Sequence, residues 1–313
     1  MANPISIQNI KEAVDLIRTG RLVAFPTETV YGLAGDATNS DAVAAIFRIK
    51  GRPSFNPLII HVCSLAEAEK LVIFNDVARS LAENFWPGAL TLVLPRRKNC
   101  PVSFLAGSGL ETLAIRIPKS EIALKFLQAV KLPIAAPSAN KSGSVSPTKA
   151  EHVLESLGDS IDLILDGGTC QIGIESTIID LSTNDPCVLR TGGIPIESLE
   201  RQLENIQIVK GVDHSPKAPG MLSRHYATTI PLRMNAEEVY DGEALLAFGG
   251  RPLGPAVAVA NLSRAGDVNE AAANLFDMMR KLDKPEHKGI AVMEIPNVGL
   301  GVAINDRLQR ACH

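Results

Sequence analysis

Two stretches of this chain gather residue types suited to handling anions, and a scattered third group joins them. KGRPSFNPLIIH carries Lys50, Arg52, Asn56 and His61. Two cations two residues apart, followed by an amide donor, could form a fork for phosphate oxygens. They also stand where a helical pattern ends, and basic residues there complement the helix dipole. PIAAPSANKSGSVSPT places Ser138, Asn140, Ser142, Ser144 and Ser146 just after an apolar run. The hydroxyls and backbone N–H groups of such a loop can nest anionic oxygens, although its composition equally describes a solvated turn. The third group is PTETVYGL (Thr27, Glu28, Thr29, Tyr31), TLAIRIP (Thr112, Arg116), IESTIID (Glu175, Ser176, Thr177) and VLRTGG (Arg190). Each lies beside a strand pattern. His61, inside LIIHV, fits either a structural histidine or a site residue. Arg116 should point to the opposite sheet face from Ile115 and Ile117, there to snorkel or to pair with a carboxylate.

Common signatures are missing from the sequence. It has no GxxxxGK[ST] loop, no GxGxxG after a strand, no HExxH and no GxSxG elbow. Any phosphate chemistry must therefore use another constellation.

The elements that must position these residues alternate between short apolar runs and helical patterns, which gives an α/β class. A helix is expected over residues 6–19, with Ser6 as N-cap and Gly20 as stop. Strand Leu22–Phe25 should run into a loop, Pro26–Gly35, before a helix over Asp41–Lys50 and a strand over Leu58–Val62. Ser64 with Glu67, and Thr148 with Glu151, read as capping boxes. Further strands are expected at Thr91–Leu94, Leu113–Ile117, Ile134–Ala136, Ile161–Leu165, Thr177–Asp180 and Cys187–Arg190. After about Val209 the segment GVDHSPKAPGMLSRHYATTIP loses periodicity and reads as a linker. A second, smaller α/β unit follows. Its strands are Ala244–Phe248, Ala256–Ala260 and Ile290–Glu294, with a helix over Glu270–Leu282 and a last helix from about Ile304. The expected division is 1–209, linker 210–231, and 232–313.

Composition excludes other classes. The 313 residues carry a net charge of −3 and only 4% aromatics. Strong nucleic-acid gripping is not expected, because it needs a basic stripe and usually stacking platforms. The one dense basic run, Arg96, Arg97 and Lys98, reads as a solvated loop. No apolar stretch is long enough to span a membrane, and MANPISIQNIKEAVDLIRTG lacks the apolar block of a secretory signal. Five scattered cysteines without a CxxC pair fit a reducing cytoplasm and no metal site.

Taken in order, PTETVYGL, KGRPSFNPLIIHV, FWPGALTLVL, LAIRIP, PIAAPSANKSG with SPT, ESTIIDL and VLRTGG resemble the YrdC-like domain of threonylcarbamoyl-adenylate synthases. PGMLSRHYA and GVAINDRL resemble the longer form, which adds a Rossmann-like domain. The resemblance implies a cationic cavity on a twisted mixed sheet, and a reaction joining L-threonine, bicarbonate or CO2, and ATP. The product would serve threonylcarbamoyladenosine formation in tRNA, through a downstream tRNA threonylcarbamoyl transferase. It implies catalytic roles for Lys50 and Arg52, and threonine contacts from Thr29, His61, Arg116, Ala136 and Ser176. Nucleotide contacts would come from Arg52, Asn56, Thr112, Ser138, Asn140, Ser146 and Arg190. The linker would cross the cavity mouth, bringing Arg224, His225 and Tyr226 to the nucleotide. Mg2+ would arrive with the triphosphate. Two alternatives stand beside this: a double-stranded RNA or tRNA-binding module using the same cavity, and a carbamoyl-transfer maturation factor. The second carries CxxC zinc fingers, which this sequence lacks.

Overall fold

The computed structural model describes residues 5–6, 9–203, 206–208 and 225–312. The first part of the chain opens with β1 (Ile5–Ser6), α1 (Ile10–Arg18), β2 (Val23–Phe25) and β3 (Gly32–Asp36). Next come α2 (Ser40–Lys50), β4 (Ile59–His61), α3 (Leu65–Leu71), α4 (Asp76–Phe85), β5 (Leu90–Pro95) and β6 (Thr112–Arg116). Then follow α5 (Glu121–Val130), β7 (Ile134–Ala135), α6 (Ala150–Leu157), β8 (Leu163–Leu165) and β9 (Thr177–Asp180). The last elements of this part are β10 (Cys187–Arg190), α7 (Ile196–Glu200) and β11 (Gln207–Ile208). All eleven strands join one mixed sheet in the order β1-β8-β2-β3-β7-β4-β6-β5-β9-β10-β11.

Alternation along the central strands separates two faces. Ile60, Leu92, Ile115 and Ile179 face the main core, covered by residues of α2, α3, α4, α6 and α7. Their neighbours Ile59, Val93, Ala114, Ile178 and Leu189 form a small apolar patch on the other face. At the edge of that patch, α1 and α5 pack on β2 and β8 through Ile17, Phe25, Phe126 and Leu165. The rest of that face is left as a concavity.

The second part contains β12 (Leu232–Arg233), β13 (Glu243–Ala247), β14 (Val259–Asn261), α8 (Val268–Leu282), β15 (Gly289–Val292) and α9 (Leu300–Ala311). Its four-stranded sheet has the order β12-β15-β13-β14, and every pairing is parallel. Helices α8 and α9 share one core with Val30, Val145 and Ile174 of the first part, so the two parts are packed together. At this junction Gly173 has φ +75°, and a Cβ there would lie 2.5 Å from the Ala272 carbonyl oxygen of α8. Only glycine tolerates both the backbone and the approach.

Several expectations need correction. The first helix starts at Ile10, not Ser6, because Asn9 accepts the Glu12 N–H as its cap; Ser6 ends β1 instead. Residues 32–35 form strand β3 rather than loop. A Cβ at Gly35 would come within 2.9 Å of Leu22, so close strand packing, not turn geometry, selects glycine there. Ser64 caps α3 by accepting from the Glu67 N–H, but the Glu67 carboxylate turns to Lys70. Thr148 caps nothing: α6 starts after Lys149 with no side-chain cap, and the Thr148 N–H meets His152. The last helix begins at Leu300, four residues before the expected start, because Gly301 fits against the Pro296 carbonyl. Arg96 is not a solvated loop residue. It is buried, donates to the Val102 carbonyl, and sits 3.9 Å from the Phe104 ring centroid.

Candidate active site

The concavity narrows to a cavity lined by residues from eight strand ends and loops. They are Thr27, Thr29, Val30 and Gly32; Arg52; Ile59 and His61; Arg116; Ala136 to Ser138; Glu175 and Ser176; Arg190; and His225. All five positions expected to contact threonine (Thr29, His61, Arg116, Ala136, Ser176) fall on its wall. So do Arg52, Ser138, Arg190 and His225 of the expected nucleotide set. Asn56, Asn140, Ser146 and Tyr226 lie behind the wall, buried. Thr112 opens β6 and so sits about 13 Å along the strand from Arg116, off the lining. Arg224 lies outside the described residues.

Strand register builds one end. His61 on β4 and Arg116 on β6 are direct parallel partners, so their side chains share a face. Arg116 Nη2 donates to Glu28 at 2.6 Å, Nη1 to the Thr29 hydroxyl at 2.9 Å and Nε to the Gly88 carbonyl at 3.0 Å. The other Glu28 oxygen accepts from the Lys119 N–H at 2.9 Å. Thr29 and Thr27 hydroxyls meet at 2.8 Å, and Thr27 donates onward to the Val30 carbonyl at 2.7 Å. Nε, Nη1 and Nη2 of Arg116 each have a partner, and its charge is balanced by a buried carboxylate. His61 stacks edge-on to Phe25 at 5.9 Å, and its Nδ1 has no partner. Burial, aided by the Arg116 charge, pushes its pKa down to about 3, so the ring is neutral.

The other end starts from the turn that stops α2. Gly51, with φ +62°, takes the left-handed conformation, while the Arg52 N–H reaches back to the Phe47 carbonyl at 2.9 Å. This glycine stop sends the flanking cations apart. Arg52 turns to the cavity, held by the Asn56 carbonyl at 3.0 Å, the Asn56 side-chain oxygen at 2.6 Å and the Pro57 carbonyl at 2.9 Å. Lys50 does not join it in a fork. Its ammonium donates to the carbonyls of Ser138 and Asn140 and is absent from the cavity wall. Burial, then Arg52 and Lys141, hold its pKa well below the ordinary lysine value. Burial and Arg190 likewise press Arg52 down to about 9.

Between the two ends, Arg190 donates from Nε and Nη2 to the Ser176 carbonyl, at 3.1 and 2.9 Å, and from Nη2 to the Ser176 hydroxyl at 3.2 Å. His225 completes the wall. Ala227 N–H bonds to the Gly143 carbonyl at 2.8 Å, and Tyr226, at φ +62°, stacks on Phe276 at 5.3 Å. His225 packs on Tyr226 and faces the cavity. Burial, opposed by Glu175 and aided by Arg52, Lys50 and Arg190, lowers its pKa to about 3.

Arg307 escaped the candidate set, and Glu28 and Glu175 stood in it without an assigned role. Glu28 and Glu175 stand inside the quoted motifs, yet their partners Arg116 and Arg307 are 88 and 132 residues away. Arg307 left one trace in the sequence: a charge on the stripe Ala303, Ile304, Leu308 and Ala311, which is otherwise the apolar face of α9.

A mixed sheet with a cationic concavity defines the YrdC-like class, and in this chain a parallel α/β unit is docked at its rim. Residues 15–192 match the family model described as "Telomere recombination", covering Sua5, YciO and YrdC proteins. Residues 194–312 match "Threonylcarbamoyl-AMP synthase, C-terminal domain". The threonylcarbamoyl-AMP synthase of Bacillus subtilis is 41% identical, covering 96% of this chain and 92% of its own. That of Pyrococcus abyssi is 42% identical, covering 96% and 93%. The crystal structure of P. abyssi Sua5 complexed with L-threonine superposes with a TM-score of 0.90 at 41% identity, covering 97% of this chain and 94% of that one. The chain belongs to the threonylcarbamoyl-AMP synthase family, in its long, two-part form.

Proposed function

We infer that this protein makes L-threonylcarbamoyl-AMP and pyrophosphate from L-threonine, bicarbonate or CO2, and ATP. The observation that carries this is the charge layout of the cavity. At one end Arg116 is already balanced by Glu28; at the other, Arg52 rests on neutral oxygens. A zwitterionic amino acid suits the first end and a polyanionic triphosphate suits the second.

The chemistry follows from that placement. The threonine amine adds to CO2, loses a proton and becomes a carbamate. A carbamate oxygen then attacks the α-phosphorus of ATP, and the bond to the β-phosphate oxygen breaks as pyrophosphate leaves. Arg116 and Thr29 hold the threonine carboxylate, with His61 and Ala136 beside it and Ser176 towards the reacting carbamate. Arg52, Ser138 and Arg190 face the phosphates, where fixed donors stabilise charge as it builds. Lys50, Asn56, Asn140 and Ser146 act one step back: Lys50 fixes the Ser138 loop, and Asn56 aims Arg52. His225 closes the cavity, with Tyr226 fixing its approach.

Mg2+ would enter with the triphosphate. Among the described residues no group of three or more His, Cys, Asp or Glu is placed to hold a metal. The carboxylate on the wall, Glu175, is already bonded to Ser146 and Arg307. Phosphate oxygens and water would therefore supply the ligands.

Residues 1–209 form the catalytic unit and 232–313 a docked second unit, joined by 210–231. No described helix is long and apolar enough to cross a membrane. The enzyme works in the cytoplasm and passes its product to a tRNA threonylcarbamoyl transferase.

Pyrophosphate release tests this. Release from ATP should require both threonine and bicarbonate. Equal release without threonine would rule the assignment out, and tight RNA binding without turnover would favour the binding-module alternative.

A further inference from the structure

The cavity wall includes one acidic side chain, Glu175, among three arginines. A carboxylate facing a site for a triphosphate is a liability unless something cancels it. Glu175 Oε1 accepts from the Ser146 hydroxyl at 2.5 Å, and Oε2 accepts from Arg307 Nε at 3.2 Å. Arg307 belongs to α9 of the second unit and is fully buried. Its Nη1 donates to the Thr191 carbonyl at 2.6 Å, next to Arg190, while its guanidinium lies 5.7 Å from the Tyr226 ring centroid. The same side chain thus ties together the loop before β9, the end of β10 and the linker residue behind His225. Its Nη2 has no partner.

Stability alone does not call for this arginine. Its neighbours on α9, Ala303, Ile304, Leu308 and Ala311, form an apolar stripe. Replacing a buried ion pair by apolar side chains of similar volume is often neutral or stabilising. Burial alone would raise the Glu175 pKa, but Arg307, Arg190, the Ser146 hydroxyl and His225 together pull it down to about 2. The carboxylate is therefore charged in the fold, and the cavity must live with that charge.

We propose that Arg307 is a positioning residue for the nucleotide end of the cavity, supplied by the second unit to neutralise Glu175. This inference rests on the synthase activity proposed above and names what the second unit contributes to it. With Arg307 in place, the Glu175 charge is cancelled and the nucleotide end of the cavity stays cationic. Without it, Glu175 competes for Arg190 and repels the phosphates, while the Arg116 end is untouched.

The test compares steady-state pyrophosphate release by the full chain as wild type, Arg307→Met, and Arg307→Met with Glu175→Gln. Wild-type turnover dependent on threonine is the control; its absence would count against the synthase assignment itself. Given that turnover, Arg307→Met should raise the KM for ATP at least tenfold and leave the KM for threonine within twofold. The double variant, which removes the unwanted charge, should bring the ATP KM back to within about threefold of wild type. A folded single variant with an unchanged ATP KM would overturn the proposal. So would a folded double variant as impaired as the single one. If the single variant fails to fold, the double variant decides: an ATP KM near wild type supports the proposal, and a tenfold rise refutes it.

Discussion

The two ends of the cavity hold buried arginines in different ways. Arg116 has a carboxylate partner, Glu28, at 2.6 Å, whereas Arg52 has two backbone carbonyls and an amide oxygen. Both side chains are removed from water. In such surroundings a guanidinium facing only neutral dipoles keeps an uncancelled charge, which is costly until an anion arrives. The difference teaches that the charge of a ligand is better read from which cations lack an internal counter-charge than from how many cations are present. A balanced arginine can orient a zwitterion without holding it too tightly; an unbalanced one awaits a polyanion.

The largest expected effect comes from breaking the balanced end. Arg116→Leu leaves Glu28 buried without its cation, and removing one partner of such a pair typically costs about 3–5 kcal/mol. Thermal melting should show that loss, and calorimetric titration should show no threonine binding. Adding Glu28→Gln should recover much of the stability but not the threonine binding. Threonine affinity within twofold of wild type in Arg116→Leu would remove the assigned difference between the ends.

A smaller effect sharpens the comparison through pH. His61 and His225 have folded pKa values of about 3, against about 6.5 for a free imidazole. Because the folded values are depressed, protons bind the unfolded chain first. The stability these rings contribute is fully present above about pH 6.5 and is lost as the pH falls towards 3. By pH 5.5 this amounts to about 1 kcal/mol per histidine. Urea unfolding from pH 7.5 to 5 should show the decline, and His61→Gln should make it shallower. An identical slope in that variant would mean that His61 is not held neutral by its surroundings.

Much of this molecule was legible in the sequence, for identifiable reasons. Apolar runs such as Leu90–Pro95 and Thr177–Asp180 mark buried strands directly. The position of Arg116 between two core isoleucines was enough to place it on the opposite face. Strand β3 was hidden because its glycines serve packing, and glycine reads first as a turn. The separation of Lys50 from Arg52 was hidden in the conformation of Gly51, which the spacing alone does not reveal. The pairing of Glu175 with Arg307 depends on how two units dock, and local patterns carry little of that. The arginine on the apolar stripe of α9 was the one available sign.

The division of the cavity is tested most directly by titrating ATP and L-threonine separately into Arg52→Ala. Among the described residues Arg52 makes no hydrogen bond to the threonine end and no ion pair with a carboxylate, so the fold should survive its loss. Charge-assisted contacts to phosphate are worth about 1.5–3 kcal/mol. ATP affinity should therefore fall about tenfold or more, with threonine affinity and melting temperature unchanged. Equal losses for both ligands, or an unchanged ATP affinity, would contradict the account.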